Sequence, residues 1–176
     1  MFEPEEHRGM TMSDNGLRIR RATSEDAVAL CEILNEIIAM GGTTALETPH
    51  TPPELDDHYI SGPDCIFCFM AETADGTPLG FQTLLRSANL PDDWGDIGTF
   101  TRRTPHVPGV GTALLEQTKK AARALGLSVI NATIRADNYA GIPFYEKMGF
   151  KTYDIAKAVP LKDGTPVDRV SKKYSL

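Results

Sequence analysis

The sequence predicts one mixed α/β domain. Short alternating or β-branched runs interleave with runs whose apolar residues recur at helical spacing, in the order β-α-α-β-β-β-α-β-α-β-β. The 176 residues, 41 % of them hydrophobic and 24 % charged, suit a single core. No internal repeat or low-complexity linker divides the chain. The domain is expected to span residues 17–176. The polar, acidic stretch before it, MFEPEEHRGMTMSDNG, reads as a flexible tail over residues 1–16.

The elements are justified in order. LRIRRA (17–22) alternates as a first strand. Thr23 or Ser24 then caps a helix, with Glu25 and Asp26 in its first turn. Ala27, Leu30, Cys31, Leu34, Ile37 and Ile38 make its apolar face, and Gly41-Gly42 ends it. TTALETPHTPPELDDHYI (43–60) is a loop leading into a short helix near Pro52 or Pro53. CIFCFMAETA (65–74) and TPLGFQTLLRS (77–87) flank the turn signal Asp75-Gly76 and form a hairpin. After the loop ANLPDDWGD, IGTFT (97–101) is a strand entering TPHVPGVG (104–111). A helix runs from about Gly109 to Leu125, with Val110, Leu114, Thr118, Ala121 and Leu125 as its stripe. Lys119, Lys120 and Arg123 sit near its negative end, and Gly126 stops it. LSVINATI (127–134) is a β-branched strand. Asn138 to Met148 is a short helix that tolerates Pro143 only in its first turn. FKTYDIA (150–156) and VDRVSKKYSL (167–176) are the last strands.

Composition excludes several classes of function. A net charge of −6 disfavours nucleic-acid binding, which needs a basic face. No apolar run approaches the ~20 residues of a membrane span, and the N-terminus lacks the apolar region of a signal peptide. A cytoplasmic protein without membrane attachment is expected. Cys65 and Cys68 match C-x-x-C, but no second pair or His cluster completes a zinc site. On a strand, residues three apart point to opposite faces, so Cys31, Cys65 and Cys68 are expected to be core cysteines.

TPHVPGVG raises a question of its own. A strand entering a glycine loop at a helix N-terminus presents unpaired amides and the positive end of the dipole, which favours phosphate. The loop is not a Walker A sequence, since no Lys-Ser/Thr follows Gly111. It is not a dinucleotide fingerprint, since Leu114 occupies the third glycine position. Taken alone, the stretch is either an anion cradle or a plain turn. Pro108 removes one amide from it.

A second segment, NYAGIPFYEKMGF (138–150), lies one strand further on. Together the two resemble the GNAT superfamily of acetyl-coenzyme A dependent N-acetyltransferases. His106-Val-Pro-Gly109-Val-Gly111 is similar to the family's Q/R-x-x-G-x-G/A loop. Asn138 with Phe144-Tyr145-Glu146-Lys147-Met148-Gly149-Phe150 is similar to its N-x-x-A-x-x-F-Y-E-K-x-G-F segment. Within the superfamily, GGTTALETPHTPPELDDHY and DDWGDIGTFT resemble segments of the phosphinothricin acetyltransferase group. In that group's W…E-S-T-V-Y-V strand, Asp96 falls at the Glu, and Thr99-Phe100-Thr101 replaces V-Y-V.

The resemblance implies a GNAT fold, a mostly antiparallel twisted sheet flanked by helices. It also implies acetyl transfer from acetyl-CoA to a small primary amine, in the manner of an amino acid or its analogue, without a metal. For the coenzyme it implies amides of Val107, Gly109, Val110, Gly111 and Thr112, the Asn138 side chain, and a strand amide near Phe100 or Thr101 facing the developing oxyanion. Tyr145 is the implied general acid, or else an aromatic packed beside Phe144. Asp96 is the implied base, or else a loop-end Asp in a turn with Gly95. Thr43, Thr44 and Glu47 are expected near the acceptor, or merely cap the next helix, and Trp94 is expected to line the acceptor pocket. His106 replaces the family's Gln or Arg. The departures leave a regulatory acetyl-CoA-binding module open, as well as acetylation of a protein or peptide amine. A homodimer is plausible from the last strand.

Overall fold

The structure, a computed structural model, describes residues 9–176. The first eight residues of the expected tail lie outside the described residues. Eight strands form one sheet in the order β1-β2-β3-β4-β5-β6-β8-β7. They are β1 (Thr11–Met12), β2 (Arg18–Arg21), β3 (Cys65–Glu72), β4 (Pro78–Leu85), β5 (Trp94–Thr101), β6 (Val129–Arg135), β7 (Lys151–Pro160) and β8 (Pro166–Ser175). All neighbours are antiparallel except β5 and β6. The helices are α1 (Ala27–Met40), α2 (Pro52–Leu55), α3 (Val110–Ala124) and α4 (Gly141–Lys147).

Local chemistry explains most boundaries. Thr23 and Asp26 make a capping box around a short 3-10 turn that runs into α1. Arg20 on β2 grips Asp26 at 2.8 Å and Glu72 at 3.2 Å, fixing that helix start to the sheet edge. Thr51 and Glu54 box the start of α2, which continues as a wide turn over Asp56–Ile60.

Side chains on the two sheet faces build two cores. Leu30, Leu34 and Ile37 of α1 pack on Met70, Phe81 and Phe100. Val110, Leu114 and Leu115 of α3, with Tyr145 of α4, pack on the other face against Phe69, Leu84, Ile97, Ile130 and Ala132.

Several expectations are corrected. Thr11–Met12 pairs with β2, so part of the segment read as a tail joins the sheet. β5 begins at Trp94 rather than Ile97, because Trp94–Asp96 pairs with Val129–Asn131. Asp96 is therefore a strand residue, not a loop-end one. The buried stripe of α3 is Val110, Leu114, Leu115, Thr118 and Ala122, whereas Leu125 is 58 % exposed. The helix phase turns Ala122 inward instead of Ala121. Lys119 is buried too, over the Tyr174 ring and donating to the Met148 carbonyl. Cys65 and Cys68 both face the α1 side, because a bulge between Cys65 and Phe67 shifts the alternation. Burial pushes all three thiols up, which keeps them unreactive.

Gly95, at the β5–β6 junction, is a glycine by steric need. A Cβ there would lie 2.5 Å from Leu84 Cγ, and Leu84 is itself fully buried. Gly95→Ala should cost about 1–3 kcal/mol and lower Tm by several degrees. Thermal unfolding of the two proteins checks this, and an unchanged Tm would refute it.

Candidate active site

β5 and β6 pair only through Trp94–Asp96 and Val129–Asn131. Beyond these residues β5 stays bonded to β4, and β6 to β8. The two strands part, and the gap opens into a cavity of about 500 Å³. Residues 96–101 and 132–135 form its walls, with the loop before α3, the start of α4 and residues 43–46 around it.

The parting leaves β5 backbone groups unpaired. Arg102 N donates to Leu79 O, so the alternation of an antiparallel ladder points the amides of Phe100, Gly98 and Asp96 at β4. The Ile97 amide closes the last rung with Asn131 of β6, and Thr99 and Thr101 turn theirs into the gap. Of the two amides expected to face a developing oxyanion, Thr101's is available and Phe100's is not.

Asp96 and Tyr145 reach the gap from opposite faces. Asp96 shares the face of Phe100, against α1, while Tyr145 packs with Ile97 on the α3 and α4 side. Burial pushes the Asp96 carboxyl above the usual carboxylate range, and a hydrogen bond from Asn131 partly offsets this. Asn131 Nδ2 donates to Asp96 Oδ1 at 2.7 Å, and Tyr153 OH donates to Asn131 Oδ1 at 2.6 Å. Tyr145 is clamped between Phe144 and Phe150, and its hydroxyl is 2.9 Å from Thr99 Oγ1. Burial pushes its phenol up to about 12, against the pull of the Thr99 hydrogen bond and with help from the Asp96 charge.

At the loop, α3 begins at Val110, and Gly109 is its N-cap in the left-handed region at φ 85°. Pro108 therefore lies ahead of the cap, outside the first turn, and does not line the cavity. Val107, Gly109, Val110, Gly111 and Thr112 do line it. The first-turn amides of α3 have no partner within their own helix, so they remain free for an anion. Arg103 and His106 line the same cavity, and the Arg103 guanidinium brings positive charge there.

The residues expected near the acceptor divide. Thr43 and Thr44 line the cavity, and the buried Thr43 Oγ1 has no hydrogen-bond partner among the described residues. Asn138 Nδ2 donates to Thr43 O at 2.8 Å, and Asn138 Oδ1 accepts from Gly141 N at 2.8 Å. Asn138 thus holds the first amide of α4 and ties residue 43 to it. Arg135, paired with Asp137, donates to Thr44 O at 3.2 Å. Glu47 lies outside the cavity and accepts from Lys162 N at 3.0 Å. Trp94 is outside it as well, edge-on to Tyr153 at 5.8 Å and beside Lys173. The starting position of β5 explains this: Trp94 belongs to the paired part of the sheet, below the gap.

Asn131, Arg135 and Tyr153 are not among the residues the sequence singles out, and Thr99 stands out there only as a departure from the phosphinothricin acetyltransferase pattern. For Asn131 the available signal was a polar residue inside the β-branched run LSVINATI.

The family model described as "Acetyltransferase (GNAT) family" matches residues 21–150. YwnH of Bacillus subtilis (strain 168), provisionally named a phosphinothricin acetyltransferase, is 23 % identical over 154 residues, covering 86 % of this chain and 94 % of that protein. A GCN5-related N-acetyltransferase from Kribbella flavida superposes with a TM-score of 0.80 at 21 % identity, over 93 % of this chain and 100 % of that one. A GNAT superfamily phosphinothricin acetyltransferase from Sinorhizobium meliloti, solved with acetyl-CoA, superposes with a TM-score of 0.77 at 21 % identity, over 92 % and 89 %. At these identities the structures establish the fold, and the family match extends over most of the chain. With strands that part around a cavity and a glycine loop at the head of α3, this chain belongs to the GNAT family of acetyltransferases.

Proposed function

We propose that this acetyltransferase transfers an acetyl group from acetyl-CoA directly to a small primary amine, an amino acid or amino-acid analogue. One observation carries this proposal: Asp96 and Tyr145 converge from opposite faces on the gap between β5 and β6. The coenzyme fits the donor set present. The amides at the head of α3, with Arg103 and His106 nearby, suit a pyrophosphate. The gap-facing amides of Thr99 and Thr101 suit an extended chain ending in a carbonyl. The S. meliloti relative's complex with acetyl-CoA agrees with this assignment. Acetyl-CoA supplies the acetyl group as an activated thioester.

The chain's own residues supply the rest. The acceptor amine arrives protonated and must lose a proton before it can attack. Asp96 Oδ1 is held by Asn131, which leaves Oδ2 to take that proton. The raised carboxyl makes Asp96 a stronger base than an exposed one. An amide aimed into the gap donates to the carbonyl oxygen as charge builds on it. Tyr145 holds a proton at its hydroxyl for the departing sulfur. The acceptor loop is fastened at Thr43 by Asn138, at Thr44 by Arg135 and at Glu47 by Lys162. That supports a compact acceptor over a peptide.

Incubation with acetyl-CoA and a panel of amino acids, amino-acid analogues and peptides, with free thiol as the readout, is the direct test. Turnover on small amines is expected. Coenzyme binding without turnover on any amine would point to a regulatory module, and turnover on peptides alone would overturn the acceptor class.

Asp96→Asn should lower kcat/KM by about 10²–10⁴-fold. Because the folded-state pKa of Asp96 is raised, its contribution to stability is present at low pH and is lost as pH rises through that pKa. The Asn variant should therefore be at least as stable as the parent at pH 7. It should also lack the limb along which activity falls as pH drops through the raised Asp96 pKa. Joint loss of stability and activity would make Asp96 a structural residue.

Gly111→Asp should abolish measurable acetyl-CoA binding by calorimetry, through added bulk and a negative charge at the head of α3. Retained affinity would remove the loop from the site.

A further inference from the structure

Thr99 stands where the phosphinothricin acetyltransferase pattern has a valine, and it gives Tyr145 a buried polar neighbour. We propose that Thr99 is a positioning residue: its hydroxyl, held by Gln82, donates to the Tyr145 hydroxyl oxygen and leaves the Tyr145 proton free to face the cavity. This rests on the reading of Tyr145 as the acid.

Hydrogen bookkeeping at three buried atoms carries the inference. Gln82 is fully buried on β4, opposite Thr99, and its Nε2 donates to Thr99 Oγ1 at 2.8 Å. Gln82 Oε1 has no partner among the described residues. Turning the amide over would instead bury an –NH₂ group without an acceptor, and orphaned donors are rarer than orphaned carbonyl oxygens. Thr99 Oγ1 therefore accepts from Gln82, and its own hydrogen needs an acceptor. The recorded neighbour able to accept it is the Tyr145 oxygen, 2.9 Å away. With that oxygen receiving a hydrogen bond, the phenol proton turns to the remaining open side. Tyr145 and Thr99 both line the cavity, whereas Gln82 lies behind them.

The consequence is chemical. When the phenol proton passes to the departing sulfur, the O–H electron pair stays on the Tyr145 oxygen. The Thr99 hydrogen is already aimed at that charge. The charged and titratable groups lining this cavity are Asp96 on β5, Arg103 and His106 before α3, His58, and Arg135 on β6 paired with Asp137, and of these Asp96 bears on Tyr145. None of them is altered by a change at Thr99.

The test replaces Thr99 with Val, which keeps the shape, and with Ser, which keeps the hydroxyl. 3,5-Difluorotyrosine is installed at position 145 to bring its ionisation into an accessible pH range, read by ¹⁹F NMR on the unliganded protein. Thr99→Val should raise that ionisation by about one pH unit or more, since a donor to the phenolate is lost. Thr99→Ser should leave it near the parent value. No shift, or a shift downward, would overturn the proposal, because a downward shift means that Tyr145 was donating to Thr99. In the unlabelled enzyme, Thr99→Val should lower kcat about 10-fold or more with little change in the KM for acetyl-CoA. An unchanged kcat would also overturn it. A parent protein inactive on every amine would count against the proposed function, while the NMR measurement would still decide the hydrogen bond.

Discussion

The interaction on which the rest of this structure depends is one that stops. β5 and β6 make three residue pairs and then separate. A parallel ladder that ran on would satisfy the amides of Thr99 and Thr101 and leave no space between the strands. The parting exposes those groups and creates the cavity. Unsatisfied backbone is costly when buried and dry, so the gap is suited to a partner that is polar and extended. Each strand meanwhile keeps a full ladder on its other side, β5 with β4 and β6 with β8. The fold thus tolerates the opening without losing the sheet.

Packing on the two faces turns that opening into a site with distinct sides. The α1 face carries Asp96, with Asn131 and Tyr153 behind it. The α3 and α4 face carries Tyr145, with Thr99 and Gln82 behind it. Burial pushes both ionisable groups upward, and because their starting values differ they fit the proposed pairing of Asp96 as base with Tyr145 as acid. Supporting hydrogen bonds hold each side, so neither group depends on the other for its orientation. Lys172 and Lys119, both buried, fix the region of α4 that carries Tyr145, through Glu146 and the Met148 carbonyl.

The segment proposed to meet the acceptor shows how distant parts of the chain hold one another. Residues 43–47 have little structure of their own. They are held by Asn138 from the start of α4, Arg135 from β6 and Lys162 from the β7–β8 turn. Asn138 links that loop to the same short helix that presents Tyr145. A small tail segment, Thr11–Met12, completes the far edge of the sheet.

The sequence by itself determined the element order from β2 onward, the hairpin of β3 and β4, the capped start of α1, and the family through TPHVPGVG and NYAGIPFYEKMGF. These are local signals, set by turn chemistry, periodicity and short motifs. Only the tertiary structure decided where β5 begins, because Trp94–Asp96 becomes strand through pairing with β6 rather than through its own propensity. That single placement moved Asp96 from a turn into a wall of the cavity and Trp94 out of it. It also decided which amides face the gap, since that alternation is counted from the pairing of Arg102 with Leu79. Asn131, Thr99 and Gln82 gained their roles the same way, as partners brought across strands by register, a property no single stretch of sequence contains.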